Sequence, residues 1–294
     1  MPTQRNTPTR RTNTTSDEMP ADETHGDKPD DAPAGDPNFM TSLARGLTVI
    51  QAFSQQRRSL TISQISQKTG IPRAAVRRCL YTLARLGFVA AEDGRLFSLR
   101  PRILSLGHPY LTSTPLAKAA QPVLRHVSNT LNESSSIAIL DGAEILYIAR
   151  ASTSRIMTID LDIGSRLPAH CTSMGRVLLA HLDDATLDTH LARCKLIQYT
   201  PNTLITMETL RTELNRVRAQ GYAVIDQELE LGLRSIAVPI VERTNDADDA
   251  TGRGRALAAI NVGVHAARAT VAEMEERILP VLREAEQELA LLAG

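Results

Sequence analysis

The sequence lacks the features that define several large classes of protein. Its apolar stretches, such as Ala256–Val264, fall far short of the roughly 20 residues a bilayer-spanning helix needs. The opening run MPTQRNTPTRRTNTT has no apolar core, so no secretory signal is expected. Cysteine is scarce: Cys79, Cys171 and Cys194 stand far apart with no CxxC spacing. That excludes a disulfide framework and a structural zinc site, and makes a reducing cytoplasm the expected compartment. No GxSxG, HExxH, Walker loop or GxGxxG occurs. Net charge is missing too, with 33 basic against 33 acidic residues, which excludes a uniformly basic chromatin-type protein.

What is present is enough for two folded domains. The chain has 294 residues, 42% apolar and 22% charged, and domains average about 100–200 residues. The zero total hides a segregation of charge. Residues 1–39 are rich in Thr, Pro, Asp and Gly and carry 4 basic and 8 acidic residues, the composition of a disordered tail. Residues 40–102 carry 11 basic residues against Glu92 and Asp93 alone, net +9. Residues 103–294 are net −5. A basic block inside a neutral protein is the footprint of a phosphate-contacting module.

The local pattern of that block is a winged helix-turn-helix. Leu43, Leu47, Ile50 and Phe53 recur at helical spacing and predict a first helix over about 42–54. Thr61 with Gln64 is a capping-box signature opening a second helix, which Gly70 ends. Pro72 suits the first turn of a third. There Val76, Leu80 and Leu83 form the buried stripe, leaving Arg73, Ala74, Arg77, Arg78 and Tyr81 outward. Small Ala74 and Ala75 allow close approach to a partner. A helix of this kind enters the major groove and presents its early residues to base edges. Phe88–Val89 and Leu96–Leu99 flank Asp93-Gly94, a turn dipeptide suited to positive φ, and form the wing. Arg85, Arg95 and Arg100 are placed for phosphates, and Arg45 and Thr61 join the DNA-contacting set.

Beyond residue 102 the pattern changes. Pro101–Leu111 and Pro115–Thr130 read as helical segments broken at His108-Pro109, with Ile103, Leu104 and Leu106 too apolar to stay free. Residues 103–116 are therefore read as a linker or dimerising helix, and 117–294 as a second domain. Ser134–Arg150 is a hairpin turning at Asp141-Gly142. Strands follow at 156–163, 222–225, 235–241 and 257–264, and helices at 172–181, 183–193, 206–220 and 270–292. Strands mixed with flanking helices predict an α+β domain with one mostly antiparallel sheet. Residues 244–255 form a polar loop.

No catalytic constellation emerges. His170-Cys171 has no acid to complete a thiol site, and His181 with Asp183 and Asp184 reads as a helix end followed by an N-cap acid. An enzyme using Cys171 as nucleophile and a redox sensor using Cys171 or Cys194 are the competing classes. Neither metal nor cofactor is expected. The segment GSRLPAHCTSMGRVLLA, residues 164–180, is the candidate binding site. Thr172 and Ser173 begin a helix whose unpaired N–H groups suit a carboxylate. Met174 and Cys171 supply polarisable walls, and Arg155, Arg166 or Arg234 would neutralise an acid.

The stretches FMTSLARGLTVIQAF, GIPRAAVRRCLYTLARLGFV, DGRLFSLRPRILSLG, GSRLPAHCTSMGRVLLA and GYAVIDQELELGLRSIAVPI resemble the IclR family of bacterial transcription regulators, over some 250 residues from about Phe39. They look most like the branch controlling protocatechuate and 4-hydroxybenzoate catabolism, the β-ketoadipate pathway. The resemblance implies a winged helix-turn-helix followed by a GAF-like effector domain. It implies dimers, often paired into tetramers, on palindromic promoter DNA, with contact to RNA polymerase in members that activate. It also implies a small aromatic or β-keto acid as effector, with shikimate or quinate as the alternative. The effector cavity it implies is bounded by Ser173, Met174, Ser235, Asn261 and Gly263.

Overall fold

The computed structural model describes residues 36–54, 57–113, 115–153, 161–242 and 254–293. The expected tail up to residue 35, Arg155, most of the expected strand at 156–163 and most of the 244–255 loop lie outside them. The chain divides into two compact units between Ile103 and Leu104.

In the first unit, α1 (Thr41–Gln51) buries Val49 and leaves Leu43 and Leu47 exposed. A short strand, β1 (Ser59–Thr61), leads into α2 (Ile62–Thr69). The Thr61 hydroxyl accepts from the Gln64 N–H, and the Gln64 side chain accepts from the Thr61 N–H, so two otherwise unpaired donors are satisfied. Gly70 ends α2 at φ 72°, a conformation that side chains resist. Pro72 is the N-cap of α3 (Arg73–Arg85) rather than part of its first turn. Val76, Leu80 and Leu83 pack inward against Val49, Leu60 and Ile65. Strands β2 (Val89–Glu92) and β3 (Leu96–Leu99) are joined by the three-residue loop Asp93–Arg95, in which Asp93 and Gly94 both take positive φ. β1 completes the sheet by pairing Leu60 with Phe97. Three residues are too few to show a period in sequence, so only the pairing reveals it. A 3₁₀ turn, Pro101–Ile103, ends the unit.

The second unit opens with α4 (Leu104–Ser113) and α5 (Pro115–Leu131). The expected break at His108-Pro109 does not occur: Pro109 lies inside α4. A proline withholds one N–H from the helix ladder but need not end it. Next come β4 (Ser134–Asp141), β5 (Glu144–Ala151), β6 (Arg166–Pro168) and a 3₁₀ turn (Ala169–Cys171). Then follow α6 (Ser173–Ala180), α7 (Asp184–Arg193), α8 (Met207–Gln220), β7 (Ala223–Asp226), β8 (Leu233–Val241) and β9 (Ala256–His265). The single C-terminal helix expected over 270–292 is two, α9 (Val271–Arg277) and α10 (Leu279–Ala293). Pro280 has no N–H to offer the Glu276 carbonyl, and the ladder is interrupted at Ile278.

The six strands form one antiparallel sheet in the order β6-β5-β4-β9-β8-β7. One face carries Ile137, Ile236, Val238, Ile260 and Val262 and packs on α5 and α10. The other carries Ala138, Ala237 and Ala259 and packs on α6. Bulky residues fill one layer, whereas small ones bring α6 close to the sheet. The head of α6 is fixed by Gly175, where a Cβ would stand 2.2 Å from the Ala169 carbonyl oxygen. No side chain larger than hydrogen fits there without moving backbone.

Candidate functional site

Two sets of residues carry chemistry, one in each unit. On α3, Arg73, Ala74, Arg77, Arg78 and Tyr81 are exposed, with Tyr81 67% accessible. Arg85 in the last turn of α3 and Arg95 beside the wing turn are exposed as well. Among the described residues, no ion pair engages Arg73, Arg77, Arg78, Arg85 or Arg95. Cations left unneutralised on one helix and its wing make a positively charged surface. Ala75, by contrast, packs on the core. Arg45 is half-buried near Cys79, whose thiol is pushed up by burial and drawn back by Arg45 and Arg78. The Thr61 hydroxyl is engaged in its capping box.

In the second unit the structure separates the expected site residues by role. Thr172 is the N-cap of α6: its hydroxyl accepts from the Gly175 N–H at 3.3 Å and donates to the Pro168 carbonyl at 3.0 Å. Met174 is wholly buried in the core beneath α6. Ser173 is also wholly buried, yet its Oγ has no hydrogen-bond partner. Buried hydroxyls are seldom left so, because an unmet donor or acceptor costs about 1–3 kcal/mol.

Strand register brings the other expected residues together. Gly263 pairs with both Ser134 and Ser235, while Asn261 pairs with Ser136 and Ala237. Paired residues share a face, and Ala237 belongs to the α6 layer. Ser134, Ser136, Ser235, Asn261 and Gly263 therefore make a polar floor on the α6 side, continuous with the alanine floor beneath the helix.

Arg234 does not join it. Neighbours along a strand alternate faces, so Arg234 points away from Ser235, and four of its five N–H groups are committed. It holds Asp226 at 2.7 and 3.3 Å and the Ala266 and Ala269 carbonyls at 2.8 Å. The hydrogen bond from Arg234 keeps the Asp226 carboxyl below its usual range. Arg166 is likewise held by Asp141 and Glu144, each at 2.7 Å.

Arg150, which sequence reasoning missed, lies on the floor. It pairs with Ser136, and its Nη1 donates to the Ser136 Oγ at 3.2 Å. Its Nε is buried without a partner. Tyr147 lies on the same face, its phenol pushed up to about 12 by burial, against the lowering effect of Arg150. Strict alternation puts positions 147 and 150 on opposite faces. A bulge at Ile148 opposite Ile137/Ala138 shifts the register and reunites them. Nothing in the one-dimensional pattern announces that extra residue.

Sequence reasoning missed a second group, the pair behind the site. Arg176, 2% exposed, donates from Nε to the His170 carbonyl at 2.9 Å and grips both Glu228 oxygens at 2.7 and 2.5 Å. Glu228 also accepts from the Leu204 N–H, and its own carbonyl accepts from Thr203. Burial pushes the Cys171 thiol up to about 12, so it is held protonated and unsuited to nucleophilic work. The His170 ring N–H donates to the Ile197 carbonyl. His181 donates to the Val177 carbonyl, Asp183 caps α7 and Asp184 binds Arg218.

A basic winged helix-turn-helix joined to an α+β unit with a polar floor under a helix head defines a ligand-responsive DNA-binding regulator. Comparison with known proteins narrows this class. The IclR helix-turn-helix domain matches residues 42–93, and the C-terminal domain of the bacterial transcriptional regulator IclR matches residues 108–291. The chain belongs to the IclR family of bacterial transcriptional regulators. It is 54% identical to the Pca regulon regulatory protein of Pseudomonas putida, over 87% of this chain and 84% of that protein. It is 33% identical to the p-hydroxybenzoate hydroxylase transcriptional activator of Acinetobacter baylyi, over 86% and 91%. Among solved structures it is similar to an IclR homologue from Microbacterium hydrocarbonoxydans complexed with 4-hydroxybenzoate (TM-score 0.71, 25% identity, 86% of this chain and 98% of that one).

Proposed function

We propose that the protein regulates aromatic-acid catabolism, binding operator DNA through α3 and the wing and a small aromatic or β-keto carboxylic acid between α6 and the polar floor. The observation that carries the ligand reading is the Ser173 hydroxyl, wholly buried and unpartnered at the head of α6. The names of the relatives support the chemical class, since one activates a p-hydroxybenzoate hydroxylase gene and another was solved with 4-hydroxybenzoate. Ser173, Ser235, Asn261 and Gly263 are the proposed effector contacts, with Thr172 and Met174 shaping the helix head.

The protein acts in the cytoplasm as a homodimer or a pair of dimers on palindromic promoter DNA, because half-site spacing mirrors the two-fold axis of a dimer. Acid binding favours one arrangement of the DNA-binding heads over another, and in an activator that arrangement contacts RNA polymerase. Calorimetry tests the effector site. Ser173→Ala is expected to weaken 4-hydroxybenzoate binding by about tenfold, one lost hydrogen bond of about 1.4 kcal/mol, and to leave DNA affinity without acid intact. Unchanged acid affinity would remove Ser173 from the site.

A further inference from the structure

We propose that Arg150 is the residue by which the effector site distinguishes a carboxylate from a neutral ligand of the same shape. This rests on the acid-sensing reading above and says which side chain reads the charge. Arg150, Ser136 and Asn261 form one row across β5, β4 and β9 on the α6 side of the sheet. The guanidinium is anchored at one end only, by Nη1 on the Ser136 hydroxyl. Its Nε is buried and unmatched, and among the described residues no carboxylate pairs with it.

The neighbouring arginines are answered from within the fold. Arg176 is answered by Glu228, Arg166 by Asp141 and Glu144, and Arg234 by Asp226 on the opposite face. A guanidinium presents Nε–H and an Nη–H side by side, spaced to meet both oxygens of one carboxylate. Arg150 shows that fork with its Nε end vacant. Another unmatched buried group, the Ser173 hydroxyl, is on the helix that covers this face. A carboxylate seated on the row satisfies Nε.

The test compares two probes that differ in charge and little else, 4-hydroxybenzoate and 4-hydroxybenzamide, by calorimetry on the full chain. The wild type is expected to prefer the acid by at least about tenfold, the scale of a charge-assisted bidentate pair. In Arg150→Gln the acid is expected to weaken by about tenfold or more while the amide changes little, so the preference collapses. Arg150→Lys keeps the charge but loses the fork, and its preference is expected to fall between the two. It decides the matter if the glutamine variant does not fold. A wild-type acid-to-amide ratio retained in these variants overturns the assignment of Arg150 and leaves the acid-sensing reading standing. Wild-type protein that binds neither probe overturns that reading, and this assignment with it.

Discussion

Single side chains on α3 have separable jobs because the helix has two faces. Val76, Leu80 and Leu83 hold it to the core, and the arginines of the other face are exposed. Arg77 stands one turn into the helix, where a base contact is expected. Arg77→Ala should cost about 1–3 kcal/mol of operator binding and relax sequence preference, read by gel shift on operator and scrambled duplexes. Arg85 and Arg95 stand at the helix end and the wing, where backbone contact is expected. Replacing either should lower the slope of log affinity against log salt by about one without altering sequence preference. If none of the three changes alters binding, the groove assignment is wrong. In the other unit, strand alternation sorts Arg234 from Ser235, as the run GLRSIAV by itself did not.

Elements were recovered from sequence where local chemistry decides them. The Thr61 capping box, the Gly70 terminus, the Asp93-Gly94 turn and the helix starts at Thr172 and Asp183 all depend on a few adjacent residues, and all are present. What stayed hidden depends on pairing between distant segments. β1 is too short to carry a period, the bulge at Ile148 follows from registry with β4, and the Arg176–Glu228 pair spans 52 residues. That pair ties α6 to the turn between β7 and β8, which also holds the 200–204 loop. A buried ion pair is far more costly to half-remove than to replace. Glu228→Leu should destabilise the protein by about 3–5 kcal/mol, and Arg176→Met with Glu228→Leu by clearly less than the sum of the two single changes. Denaturant unfolding of the four proteins gives the cycle, and additive losses would show the pair to be unimportant.

At the scale of the whole molecule, charge and polarity are divided between the units. The basic block lies within residues 40–102, and the polar floor draws on β4, β5, β8 and β9, strands spread from Ser134 to His265. The first was readable as a count along the chain. The second became visible only when the sheet set Ser136, Arg150, Asn261 and Gly263 side by side. Arg155 and the 154–160 segment adjoin β5 in sequence and lie outside the described residues.

Whether an acid held under α6 governs how α3 holds DNA is read by fluorescence anisotropy of labelled promoter duplex titrated with protein, with and without saturating 4-hydroxybenzoate. A coupling of about 1–3 kcal/mol is typical between linked sites, so saturating acid should change operator affinity by about fivefold or more, and Ser173→Ala should need about tenfold more acid to reach the same change. Operator affinity that stays the same while calorimetry shows the acid bound would mean that the acid does not govern DNA binding.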